Sequence, residues 1–485
     1  MASYLNVLGV PDTESDSCDD VSDTVKVPKK PASRINRKRP GAPVDDEARE
    51  KKRQQAAARS ERKAEEARNL LFVGVDIGTT CSGVAFCSYK ESWDKLTVIN
   101  RYHGGENEHL EKVPTRIAYA AENDMPADVF GDAVEDGMTA YQWFKLLLAG
   151  KLKPTEFDDP HLEKATGNKT LRLPKGKTAQ AVLTDFLTLL CKLFLKRLKK
   201  AMGSAKAVEK TKCVFVVTVP ATWPLAARQA TRDAAVAAGF GGREGDEVVL
   251  IDEPEAAAVL AIKSAIARYD TSAFKQKTCV MVVDMGGGTV DLCTYILLKL
   301  NELQLEEACV GQGGRCGGTW IDRNFHELME KKFGDSFTQL PTNKTGVGSD
   351  FMGKFEKEKR KFSGKSRANK SIEMPLRMPN LNKNDPVIAA SYDFSDESVK
   401  ISAKEMKALI DPVLKKTFML VMEQKRRTEE TQQGKKRELR VLVNVLARRK
   451  KLTTSRPLSF AEDFLDVRTS RNDSKNSSMR SWKVR

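Results

Sequence analysis

Two short stretches of this 485-residue chain carry the residue types that handle a phosphate. Val73-Gly-Val-Asp76-Ile-Gly78-Thr79-Thr80 and Met281-Val-Val-Asp284-Met-Gly286-Gly287-Gly288-Thr289 lie 208 residues apart and share one design. Each is an apolar run that ends in Asp-x-Gly, continues with small and hydroxylated residues, and resumes as a strand. Glycines let backbone N–H groups approach an anion, and threonine hydroxyls add donors. An aspartate at the strand end suits a hydrated Mg²⁺, which takes few carboxylates and keeps waters and phosphate oxygens in its other positions. Either turn alone reads equally as an ordinary hairpin. Both together, each on a buried strand with its aspartate in register, argue for two related lobes facing one nucleotide.

Other phosphate motifs fail. Gly176-Lys177-Thr178 has the end of a P-loop, but that loop needs a glycine where Leu171 stands. Gly311-Gln-Gly313 misses the dinucleotide pattern because its third glycine falls one residue late, at Gly317.

The elements that would position the turns alternate in type. Strands are expected at 70–75, 82–86, 213–219, 248–251, 279–283 and 290–298, from apolar runs bounded by turn residues. Helices are expected at 178–202, 224–238, from Asp252-Glu253-Pro onward, at 320–333, 349–363 and 402–426. Leu183, Phe186, Leu187, Leu190, Phe194 and Leu198 form a core-facing stripe, and Ser402 with Glu405 has capping-box spacing. Strands alternating with helices make an α/β protein.

Composition narrows the class. No apolar run approaches the roughly 18 residues of a membrane span. Nine scattered cysteines without a Cys-x-x-Cys pair suit reduced thiols of a cytoplasmic, or nuclear, protein. The net charge is +16, but residues 435–485 hold 15 basic and 5 acidic side chains, and residues 1–69 hold 15 and 13. The basic excess is a tail property, which argues against nucleic-acid binding by the folded body. Residues 1–69 read as a disordered charged arm, in which Arg37-Lys38-Arg39 and Lys51-Lys52-Arg53 are either a two-part import signal or a solvated charge run. Residues 70–260 read as the first lobe, 261–443 as the second and 444–485 as a basic disordered tail.

The chain resembles the nucleotide-binding domain of the heat-shock protein 70 family, within the actin and sugar-kinase ATPase superfamily. The matching segments are Val75-Asp-Ile-Gly-Thr-Thr80, Val217-Thr-Val-Pro-Ala-Thr222 with Arg228-Gln-Ala-Thr-Arg-Asp-Ala234, Glu253-Pro-Glu-Ala-Ala-Ala258 and Val283-Asp-Met-Gly-Gly-Gly-Thr-Val-Asp291. Gly317-Gly318 and Glu356-Lys-Glu-Lys-Arg-Lys-Phe-Ser363 follow in the family's order, and the wording is similar to the divergent, ATPase-domain-only branch expanded in fungi. The resemblance implies a two-lobed actin-like ATPase fold of duplicated ribonuclease-H-like lobes, with ATP or ADP and Mg²⁺ as cofactors. It implies that Gly78, Thr79 and Thr80 cradle the phosphates from one side and Gly286, Gly287, Gly288 and Thr289 from the other. Asp76 and Asp284 would order the metal's water shell. Glu253 would position or deprotonate the attacking water, with Thr289 and Asp291 nearby, and Lys145 would steady the γ-phosphate. Glu356, Lys359, Arg360 and Ser363 would bracket adenine and ribose. By residue type alone, Lys145 reads equally as a surface lysine, Glu253 as a helix cap and the Glu356–Lys361 run as a solvated helix face.

The resemblance breaks at the C-terminal end. The family's further glycine-rich turn should follow Leu439-Arg-Val-Leu-Val443, yet Asn444-Val-Leu-Ala-Arg-Arg-Lys450 has no glycine, as though the frame or splice choice had changed. The second lobe is therefore expected to be incomplete. No β-rich peptide-binding segment is recognised either. The reading is a chaperone-like, Mg-dependent ATPase module acting as a nucleotide-controlled interaction switch, its protein partners unknown. The alternatives are a non-catalytic nucleotide sensor or scaffold and a small-molecule kinase of the same superfamily.

Overall fold

The two Asp-x-Gly turns sit at equivalent points of two similarly built sheets. The structure, a computed structural model, describes residues 70–91, 95–100, 102, 111–135, 137–150, 155–160, 162, 171–269, 275–300, 303–346, 348–362, 371–433, 439–445 and 464–465. The charged arm 1–69 with its two basic clusters, and most of the tail 444–485, lie outside the described residues.

In the first sheet, β1 (Leu70–Ile77) pairs antiparallel with β2 (Cys81–Ser88), and β3 (Lys212–Val219) runs parallel to β1 on its other side, followed by parallel β4 (Glu247–Asp252). In the second sheet, β5 (Cys279–Met285) pairs antiparallel with β6 (Val290–Lys299), and β8 (Leu439–Val445) runs parallel to β5, while β7 (Gln304–Gly314) extends the sheet beyond β6. The hairpin is thus used twice, each time with a later strand parallel to its first strand. Asp76 stands opposite Gly83 in one hairpin, and Asp284 opposite Asp291 in the other.

The apolar run of β5 is continuous because both its faces are covered. Val280 and Val282 pack with Ala258 and Ile262 of helix Glu253–Tyr269, while Met281 and Val283 pack with Trp320, Val413 and Leu420 from two helices on the opposite face. In the first sheet, helix α1 (Ala179–Met202) lays its expected stripe on the strands; Phe194 meets Phe86 and Phe215 at ring separations of 6.2 and 5.9 Å. Fully burying each such side chain stabilises by roughly 1.5–3 kcal/mol. Thr178, the residue that ends the P-loop lookalike, caps α1 by accepting from Ala181 N at 3.1 Å, and Leu171 is buried core.

Two differences from the sequence reading have clear causes. Gln304–Gly314, to which the sequence reading assigns no element, is a strand; irregular pairing with β6 accommodates its glycines. The helix opened by the Ser402–Glu405 capping box runs over Ala403–Thr431, five residues beyond the expected end, because Gln424 and Thr428 are buried against Thr294. Phe464–Leu465 adds a short edge strand beside Val441–Leu442.

A strap from the first part of the chain is fastened under the second sheet. Phe157 packs in the Trp320 cluster, and Asp158 accepts from Arg315 N at 2.7 Å and from its guanidinium at 3.0 Å. Asp159 pairs with Arg323, both side chains being almost wholly buried. Among the described residues, no helix is long and apolar enough to cross a membrane, and all eight cysteines are free thiols.

Candidate functional site

The site grows from the ends of β1 and β5, where each chain must turn sharply. After β1, the turn 78–80 is stitched to a neighbouring segment. Thr115 N donates to Thr80 O at 2.9 Å, and Thr115 Oγ1 donates to Gly78 O at 2.8 Å. After β5, the glycine turn is held by the start of helix α2 (Thr319–Phe333): the N–H groups of Gly317, Gly318 and Thr319 donate to the carbonyls of Gly288, Gly286 and Gly287 at 3.1, 3.1 and 2.8 Å. Gly317 and Gly318, expected among the nucleotide-binding glycines, therefore brace the glycine turn through their own N–H groups.

The two turns face each other at close range. A Cβ on Gly287 would stand 2.3 Å from Thr80 Cγ2, and one on Gly288 would stand 2.4 Å from Thr79 Oγ1. A side chain at either position would have to displace Thr79 or Thr80, so glycine is what lets the two turns touch. Threonine hydroxyls of one turn and glycine backbone of the other thus meet at this contact, residue types that suit an anion such as phosphate.

Charged side chains gather around the two turns. Lys145 is buried, not a surface lysine; its Nζ lies 2.5 Å from Glu253 Oε1 and 5.3 Å from the centre of the Trp223 ring. Glu253 is the first residue of its helix, yet its carboxylate is turned to Lys145. Burial pushes Glu253 up to about 7, with Lys145 pulling it down and Asp291 and Asp76 adding repulsion. Burial, and then repulsion from Glu253, Asp291 and Asp76, push Asp284 up to about 8. Asp291 is raised by burial, although Thr289 and Thr222 donate to it, the latter at 3.0 Å. Asp76 moves the other way. Burial opposes its ionisation, but Lys112, with Nζ 2.5 Å from Oδ2, Lys145 and the Thr218 hydroxyl together hold it below its ordinary range. Four carboxylates thus feel one another's charge. Among the described residues no three His, Cys, Asp or Glu side chains are grouped to ligate a metal ion directly, so a divalent cation would be held here through its water shell.

Glu356, Lys359 and Arg360 form a second cluster on helix Asp350–Lys361. Glu356 pairs with Lys359 and Arg360, each at 2.5 Å, and Lys359 also reaches the buried Asp322 at 2.8 Å. Arg360 hydrogen-bonds the Cys81 sulfur, which joins this helix to the first phosphate turn. These residues are a cross-linked network, not a simple solvated face. Ser363 lies outside the described residues.

Sequence reasoning missed Lys112, Thr115 and Thr218. Lys112 and Thr115 flank a short strand, Val113–Pro114, whose pairing with Cys81–Ser82 is invisible in linear order. Thr218 sits in the Val217-Thr-Val-Pro segment already singled out, and its place on the strand parallel to β1 was the available signal.

A sequence profile of the family described as Hsp70 protein matches residues 72–424. The chain is 30% identical over 349 residues to heat shock 70 kDa protein 12A of Homo sapiens, covering 60% of this chain and 50% of that protein. It is 28% identical to the Mus musculus protein of that name over the same shares of each chain. It is 26% identical over 324 residues to heat shock 70 kDa protein 12B of Homo sapiens, covering 55% and 46%. The chain spans about half the length of these relatives.

Proposed function

Because the chain belongs to the Hsp70 family, we propose that its facing turns bind ATP or ADP with Mg²⁺ and that slow hydrolysis makes it a nucleotide-controlled switch for protein partners. The observation that carries this reading is the close approach of Thr79 and Thr80 to Gly288 and Gly287, which brings the two strand-end turns together. Free cysteines fit a cytoplasmic or nuclear setting.

In this reading each residue has a defined task. Backbone N–H groups of the two turns and the Thr79, Thr80 and Thr289 hydroxyls hold the phosphate chain. Asp76 and Asp284 would order waters on Mg²⁺, which when bound neutralises charge on the phosphoryl oxygens. Lys145 is held by Glu253 at a fixed point and adds positive charge on the γ-phosphate side. Glu253, raised to about 7, takes a proton from the attacking water or aligns it. Glu356, Lys359 and Arg360 would frame the nucleoside, and closing the two sheets' helices around it would change the surface offered to partners.

Calorimetry with ADP and ATP, followed by phosphate release, tests the proposal. Asp284→Asn and Glu253→Gln are expected to cut turnover by at least about 100-fold while nucleotide affinity stays within about threefold. Wild-type turnover in both variants rejects the catalytic assignment. The glycine-free stretch Asn444–Lys450, beginning at the strand position paired with Asp284, favours a second reading: a nucleotide sensor without turnover. Tight binding without phosphate release would select it.

A further inference from the structure

Lys112 stands where a metal-dependent nucleotide site has most use for positive charge. Its Nζ lies 2.5 Å from Asp76 Oδ2, and its charge is also felt by Asp284, the matching strand-end carboxylate of the other sheet. The position is built, not incidental. Val113 and Pro114, directly after Lys112, pair with Ser82 and Cys81, and Thr115 is bonded to both Gly78 O and Thr80 O. Opposite Asp76 in the hairpin is Gly83, where a Cβ would crowd the Lys112 Cγ at 3.3 Å and Glu111 O at 3.3 Å. A glycine therefore leaves the channel along which the lysine stem reaches the aspartate. The ammonium is half-buried, next to the phosphate turn, and has three donors of which Asp76 uses one.

We propose that Lys112 is a resident cation of this site, bridging Asp76 and the terminal phosphate of the bound nucleotide and so making nucleotide binding largely independent of Mg²⁺. The inference rests on the nucleotide reading above and deepens it. An ammonium satisfies a carboxylate and a phosphate oxygen at once through charge-assisted hydrogen bonds, without the rigid octahedral shell and costly dehydration of Mg²⁺. With Lys112 on Asp76, one of the two carboxylates that would hold the metal's waters already has a counter-charge. The divalent ion then adds less to affinity than it would at a site with two uncompensated aspartates.

The test is calorimetric titration of the full chain with ADP, in excess Mg²⁺ and in EDTA, for wild type, Lys112→Met and Lys112→Arg. Circular dichroism checks that each variant is folded. The wild type is expected to bind ADP within about threefold under the two conditions, whereas Lys112→Met loses about tenfold in EDTA relative to Mg²⁺, equivalent to about 1.4 kcal/mol. Lys112→Arg, which keeps the charge, is expected to behave as wild type. A wild type that itself loses about tenfold in EDTA overturns the proposal, as does a Lys112→Met variant with the wild-type ratio. Failure of wild type and variants to bind ADP under either condition sinks the nucleotide reading itself, which separates that failure from the narrower one.

Discussion

At the scale of single residues, the carboxylates around the two turns tie proton binding to both activity and stability. Glu253 rises from 4.5 to about 7 and Asp284 from 3.8 to about 8. Between those values the folded, nucleotide-free protein holds protons that the unfolded chain has released, so its stability falls as pH rises from about 4 to about 8. The melting temperature is expected to drop over that range, and Asp284→Asn, which removes one buried charge, should flatten the drop. Thermal melts in a pH series measure both. Turnover has the opposite slope. A general base must be ionised, so kcat/KM is expected to rise through about pH 7 as Glu253 loses its proton. A flat profile across neutrality would remove Glu253 from that role. Asp76 and Asp284, which end apolar runs, and Glu253, which begins a helix, were legible in the sequence, whereas Asp291, second in its strand, came only with the family resemblance. Lys112 was not legible, because what makes it notable is a contact 36 residues away across a hairpin.

At the scale of elements, the glycine turn after β5 and the start of α2 act as one piece. A Cβ on Gly317 would lie 2.6 Å from the Gly288 carbonyl carbon and 2.7 Å from Gly286 O, whereas at Gly318 the nearest atom is 4.0 Å away. Gly317→Ala is therefore expected to destabilise the fold by about 1–3 kcal/mol and to weaken nucleotide binding, because backbone must shift to admit the methyl group. Gly318→Ala should bind nucleotide as the wild type does. Urea denaturation and calorimetry on the pair distinguish the two; equal behaviour would show that the turn is pliable. Most of the elements could be read directly: the α1 stripe, the two hairpins and the Ser402–Glu405 box all fall within a few residues of their expected bounds. β7 could not, because Gly311, Gly313 and Gly314 carry loop chemistry, and only the irregular pairing with β6 turns them into strand. The C-terminal end of the long helix was likewise hidden, since polar Gln424 and Thr428 are core residues only through their bonds to Thr294.

At the scale of the whole molecule, the repeated hairpin-plus-parallel-strand plan explains why the two turns meet: strands of like topology end at like points. The strap at Phe157–Asp159 adds a tie that the plan alone does not require. Replacing Asp159 by asparagine removes the carboxylate directly paired with the Arg323 side chain, itself 3% exposed. A loss of about 3–5 kcal/mol is expected, visible as a lower urea midpoint. A change below about 0.5 kcal/mol would mean that water reaches the arginine.

That tie also shapes how the molecule can move. Sliding one sheet past the other must either carry the strap along as a passenger or pull two opposite charges apart in a place sealed from solvent. Motion of the first kind is smooth; motion of the second kind meets a detent, a click between positions instead of a continuous swing. In the switch proposed above, such a click would let a partner meet discrete forms of the same surface.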